Sequence, residues 1–236
     1  MAGFGVLLLG LLGGFINLRI LLGLSMLASI IGMSSMVLQI RHPTAFGHYG
    51  RTFYHVVGGP LLAYLAMISL ETALVLLLSL LTTFGSLALL DLLGMQSIFS
   101  GVKVQYSIRD RVYTGPTHYQ SGTYWIIGAL VALAFFELPV AIASILIFTL
   151  GDGAAGIVGD LLKDRRPGRY VKTAERSIVF LTVALAASSF YVSLPHAFVA
   201  STLAAIVEAL RLPIDDNITV PIVSALAMSG LKLLGF

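Results

Sequence analysis

The segment ELPVAIASILIFTLGDGAAGIVGD, Glu137 to Asp160, decides how this chain is read. A charged residue and a proline break the preceding apolar run, Leu138–Leu150 carries no charge, and Asp152 then arrives among glycines and alanines. That is the pattern of a helix crossing apolar surroundings and meeting polar chemistry towards one end. Working outward, further apolar runs recur at Ile20–Ile40, Thr72–Leu92, Trp125–Phe136, Ile178–Leu194 and Pro221–Leu234. With 58% hydrophobic and 11% charged residues in 236, and a mean hydropathy of +0.97, the composition lies far outside that of soluble domains. The reading is one all-α, polytopic integral membrane domain spanning 1–236, set in a lipid bilayer.

The first fourteen residues are apolar but lack a basic stretch and a small-residue cleavage site, so they read as extending or preceding the first helix. Cysteine is absent, which removes disulfides, thiolate metal sites and a cysteine nucleophile. The net charge of +3 is gathered into four segments, Arg41–Arg51, Lys103–Arg111, Lys163–Arg176 and Arg211–Asn217. No basic helical face or soluble module is present to carry nucleic acid, so no nucleic-acid partner is expected. Between the polar segments, turn signals at Glu71, Glu137–Pro139 and Ser193–Pro195 split each apolar stretch into a helical hairpin. Three hairpins, one helix near Leu18–Ile40 and one from about Pro221 give about seven to eight transmembrane helices. All four polar segments then share the cytoplasmic face, because that face collects the lysine and arginine. Localisation follows as the cell membrane.

Asp152, Ala155, Gly156 and Gly159 fall at i, i+3, i+4 and i+7, so a helix carries a carboxylate at the head of a stripe of tiny side chains. Close helix packing explains the glycines. It leaves the carboxylate unexplained, since an acid near the end of a membrane helix is costly. The stretch also spells G-x-G-x-x-G, but no strand precedes it and no βαβ pattern surrounds it, which excludes a dinucleotide fingerprint. Downstream, Lys163, Arg165, Arg166, Arg169, Lys172 and Arg176 outnumber Asp164 and Glu175. Opposite them, Asp215 and Asp216 stand just before a helix that Pro221 is expected to help start. One acid suffices to cap a helix. Carboxylates facing a basic loop suit Mg²⁺ and a polyphosphate. Arg51 and His55 share a helical side, and Glu208 lies one turn before Arg211, where an intrahelical ion pair is the plain alternative.

These residues resemble the motifs of the CTP-dependent polyprenol kinases, the group containing dolichol kinase and phytol kinase. The pattern D-x-x-A-x-x-x-G appears as Asp152, Ala155 and Gly159; the K-K-T-x-E-G block keeps Lys172, Thr173 and Glu175; and D-D-N-[LI]-x-V-P appears as Asp215, Asp216, Asn217, Ile218, Val220 and Pro221, with Glu208 upstream. The early R-K-x-x-H is kept as Arg51 and His55. Thr52, Val171 and Arg176 depart from it, standing where the family has lysine, lysine and glycine. The resemblance implies transfer of the γ-phosphoryl group of CTP to the terminal hydroxyl of an isoprenoid alcohol, with Mg²⁺ as cofactor. It implies that Asp152, Asp215, Asp216 and Glu208 serve the metal, the three aspartates and Lys172 also acting in catalysis. Gly156, Gly159, Arg166, Lys172, Thr173, Glu175, Asn217, Arg51 and His55 would hold the nucleotide. The alternatives are a cytidylyltransferase acting on a lipid phosphate and a cation-coupled transporter. The sequence leaves the oligomeric state open, a homo-oligomer included.

The hairpin topology has a direct check, since no native cysteine interferes. Single cysteines placed at Gly47, Gln105, Gly168 and Pro213 should all react with an impermeant maleimide from the cytoplasmic side alone; outside labelling of any one breaks the shared face.

Overall fold

A computed structural model describes residues 54–92, 118–163, 174–210 and 212–235. The helix expected near Leu18–Ile40 and the polar segment Lys103–Arg111 lie outside the described residues. Among the described residues there are seven α-helices and no strand: α1 Gly59–Ile68, preceded by a π-helical turn Tyr54–Gly58, α2 Leu70–Leu92, α3 His118–Phe135, α4 Leu138–Lys163, α5 Ala174–Ser188, α6 Leu194–Ala209 and α7 Asp216–Leu233. The described residues are therefore all-helical, as the all-α reading expects. The expected turns coincide with breaks at Ser69, at Phe136–Glu137 and at Ser189–Ser193. Pro139 and Pro195 sit in the first turns of α4 and α6, where a missing N–H costs no helical hydrogen bond.

The chain, read from its sequence as a single domain, divides into two compact units: Met1–Gly50 with Glu71–Ile127, and Arg51–Leu70 with Gly128–Phe236. In the first, α2 satisfies its own hydroxyls. Ser79 Oγ donates to Val75 O at 2.6 Å and Ser86 Oγ to Thr82 O at 2.6 Å, so neither side chain needs water.

In the second unit α4 is central, packing against the π turn, α1, α5, α6 and α7. Every residue from Val140 to Thr149 is buried, as expected of a helix apolar on all sides. Among the described residues, α4 over Leu138–Gly159 is the one helix long and apolar enough to cross a membrane. His55–Ile68, Leu70–Thr83, Gly122–Phe135 and Leu194–Ala209 are shorter apolar helical stretches.

The helix containing Asp152 differs from expectation: the residue lies well inside α4, which continues through all four glycines to Lys163. Close neighbours hold this run helical. A Cβ on Gly153 would stand 2.6 Å from Val56 Cγ2, and one on Gly59 would overlap the Thr149 side chain. The π turn, through Val56, and the start of α1, through Gly59, thus interlock with α4 at two points one helical turn apart along α4. The start of α7 is a second correction. Pro221 is inside this helix rather than at its first turn, because Asp215 caps it: its carboxylate accepts the Asn217 N–H at 2.9 Å. Pro221 offers no N–H to the Asn217 carbonyl one turn back. Gly128 of α3 lies against that carbonyl, in a space that a Cβ would fill.

Lys232 at the end of α7 pairs with Glu137 beside the start of α4 at 2.5 Å. Asp152 and Asp216 meet farther along the same two helices. The helices are therefore antiparallel, and the two contacts lie about 23 Å apart at the α-helical rise.

The interlock makes Gly59→Ala costly and Gly58→Ala harmless, since a Cβ at Gly58 meets nothing within 4 Å. Denaturant unfolding of the purified protein should show Gly59→Ala destabilised by about 1–3 kcal/mol through overpacking, and Gly58→Ala unchanged or slightly stabilised.

Candidate functional site

Asp152 from the middle of α4, Glu208 from the last turn of α6 and Asp216 from the first turn of α7 converge, with one ligand atom of each lying within 4.8 Å of the others. Asp152 and Glu208 are buried and Asp216 is half-buried. The three reach one place because α6 and α7 are joined by a short connection at the end where α4 carries its acid. Each helix contributes one residue, so the group is rigidly held. Like charges this close, screened from water, disfavour one another unless cations accompany them.

Two basic side chains border the group. His55, on the π turn, puts Nδ1 3.4 Å from Asp152 Oδ2 and stands edge-on to Phe148, with ring centroids 5.0 Å apart. Arg176, in the first turn of α5, brings Nη2 to 3.7 Å from Glu208 Oε1. The N-terminus of α7 opens here, adding the positive end of a helix dipole.

The structure separates the neighbouring acids. Asp216 joins the trio, whereas the Asp215 carboxylate accepts both the backbone N–H and the side-chain Nδ2 of Asn217. Successive helical residues point about 100° apart, so the two carboxylates cannot serve one point equally. Asn217 is buried, and its Oδ1 has no hydrogen-bond partner among the described residues. Glu208 takes an interhelical partner, Arg176, rather than forming only the local pair considered with Arg211, which lies outside the described residues.

Gly159 faces Arg176: a Cβ there would stand 3.1 Å from Arg176 Cδ and 3.2 Å from Nη1. Gly156 is half-buried on α4, and Glu175 is exposed in the first turn of α5. Arg51, Arg166, Lys172 and Thr173 lie outside the described residues. Sequence reasoning noted Arg176 as one of a basic run and as a departure from the motif, without its partners, and passed over Gly59 and Gly153. A small residue on each of two segments was the available signal, but nothing in a single sequence pairs them.

Three carboxylate oxygens form a hard donor set that suits Mg²⁺. Oxygens on an octahedral Mg²⁺ lie about 3–4 Å apart, so a small side-chain movement closes the observed spacing. Compared with protein-family models, with curated proteins and with solved structures, the chain matches none.

Neutralising one member of the trio without metal should relieve repulsion, whereas disturbing the cap should not. In chelator, Asp216→Asn should unfold at higher denaturant than wild type. Asp215→Ala should lose about 1 kcal/mol, and Asp215→Asn should lose little because asparagine also caps well.

Proposed function

We propose that the protein is an integral membrane lipid kinase that transfers the γ-phosphoryl group of CTP to the terminal hydroxyl of an isoprenoid alcohol, working at the cytoplasmic side of the cell membrane. The observation that carries this is the convergence of Asp152, Glu208 and Asp216. Asp152 comes from one block of the motif set that resembles the polyprenol kinases, and Glu208 and Asp216 from another, yet their ligand atoms share one site. His55, from the early block, borders the same group.

The surfaces of α1 and α6 favour a bilayer. Towards the core α6 turns Ala197, Ala200, Ser201, Ala204 and Ala205, while Leu194, Phe198, Ile206 and Leu210 are exposed. On α1, Gly59, Ala63 and Ala66 are buried together with one large residue, Leu62, while Leu61, Tyr64, Met67 and Ile68 are exposed. Small residues inside and large apolar ones outside is the arrangement of helices packed in lipid, and water would penalise it. A hydrocarbon core is about 30 Å thick. If the exposed Lys232–Glu137 pair marks one boundary, the trio lies about 23 Å along, roughly a turn inside the other. A hydroxyl on a membrane-dissolved alcohol reaches that depth without leaving the lipid.

In the reaction, the alcohol oxygen bonds to the γ-phosphorus, the bond to the β–γ bridging oxygen breaks, and CDP leaves. A carboxylate of the trio accepts the hydroxyl proton. Bound Mg²⁺ would neutralise developing charge on the phosphoryl oxygens; Asp152, Glu208 and Asp216 would hold it. The N-terminus of α7 favours the phosphates.

The test uses purified protein, a panel of prenols and CTP labelled at either the α or the γ phosphate. The γ label should pass to lipid and the α label should remain in CDP. Transfer of the α label with release of pyrophosphate would instead establish a cytidylyltransferase; transfer of neither would leave the transporter reading. Asp152→Asn should lose at least about a hundredfold in turnover through loss of charge compensation.

A further inference from the structure

We propose that Arg176 is the resident counter-charge of the acidic trio, standing where a second divalent cation would otherwise be needed, so that the site takes a single divalent ion. The inference rests on the trio being a metal site, as proposed above, and concerns its stoichiometry and the seat that fixes it.

Arg176 is built into the site rather than lying across its surface. Its side chain is only 14% exposed, and Nη2 stands 3.7 Å from Glu208 Oε1, a carboxylate that is itself 2% exposed. A guanidinium keeps its charge at any accessible pH, so the contact is a permanent positive charge held against one member of the trio. The seat is made by α4. Gly159 presents no Cβ, and Arg176 Cδ, Nε and Nη1 occupy that face, at 3.1, 3.3 and 3.2 Å from where a Cβ would stand. Any larger residue at 159 must push the guanidinium from its place. The glycine stripe thus has a specific occupant at its far end, an arginine reaching across from α5.

The charge follows from this arrangement. Three ionised carboxylates are balanced by one guanidinium and one divalent ion. A second divalent ion would leave an excess positive charge in a buried place, which desolvation opposes.

The test is Mn²⁺ binding to the purified full chain without nucleotide, followed by electron paramagnetic resonance of free Mn²⁺ and by equilibrium dialysis. Wild type should bind one Mn²⁺ per chain, and Asp216→Asn should abolish that binding. Arg176→Gln should bind two, the first at least about tenfold tighter than in wild type, because a repelling charge has been removed. Gly159→Leu keeps the arginine but denies it the seat, and should behave like Arg176→Gln; Arg176→Lys, which keeps the charge, should still bind one. These two variants decide the matter should Arg176→Gln fail to fold. Two ions on wild type, or unchanged stoichiometry and affinity in both Arg176→Gln and Gly159→Leu, overturns the inference while leaving the metal site standing. No binding to wild type, or binding indifferent to Asp216→Asn, overturns the metal site and the inference with it.

Discussion

Placing three carboxylates within 4.8 Å of one another inside a helical bundle is the constraint on which the second unit depends. Hydrophobic packing alone would never select it, because buried like charges repel and lose their hydration. The surroundings answer the cost with the Arg176 guanidinium beside Glu208 and the N-terminus of α7, and they set His55 beside Asp152. Each compensating group requires a backbone approach that only small residues permit. Gly153 and Gly59 let the π turn carrying His55 press onto α4, and Gly159 leaves room for the arginine. The glycines are therefore spacing devices in service of the electrostatics.

The same economy of size appears in the packing of α6, whose inner face is nearly all alanine and serine with Glu208 at its end. Ser188 and Ser201, both buried, approach each other between α5 and α6 with oxygens 3.4 Å apart, while Ser188 also donates to the Ala184 carbonyl at 2.7 Å. Hydroxyls that satisfy themselves on their own helix allow close packing without stranding a donor. A bundle held by small residues brings backbones close, so short side chains such as those of Asp152 and Asp216 can meet across helices.

Much of this was legible in the sequence, and what was missed has a common cause. The turns were visible because proline and charge interrupt apolar runs. Asp152, Glu208 and Asp216 were visible because acids are conspicuous in so apolar a chain. The helical stripe from Asp152 to Gly159 was legible too, but not how far Asp152 lies from the end of α4, which runs on to Lys163 while Phe180 and Val56 pack against Gly151 and Gly153. Pro221 looked like a helix start, but the Asp215 cap sets the boundary earlier and Gly128 accommodates the carbonyl left without its donor. The division of labour between Asp215 and Asp216 depends on which one faces α4, and a dipeptide does not reveal that. Arg176 was visible as one of a basic run and as a departure from a motif, but its seat was not, since its partners Gly159 and Glu208 belong to other helices.

Convergence of the three acids on one cation is the central claim, and thermal unfolding against Mg²⁺ concentration tests it most directly. An ion that binds the folded chain alone raises its stability by mass action, about 2.7 kcal/mol at a hundred times the dissociation constant. The account predicts a Mg²⁺-dependent rise in Tm for wild type that Asp152→Asn, Glu208→Gln and Asp216→Asn each abolish, while Asp215→Asn retains it. A rise that survives all three substitutions would show that the cation binds elsewhere and would contradict the account.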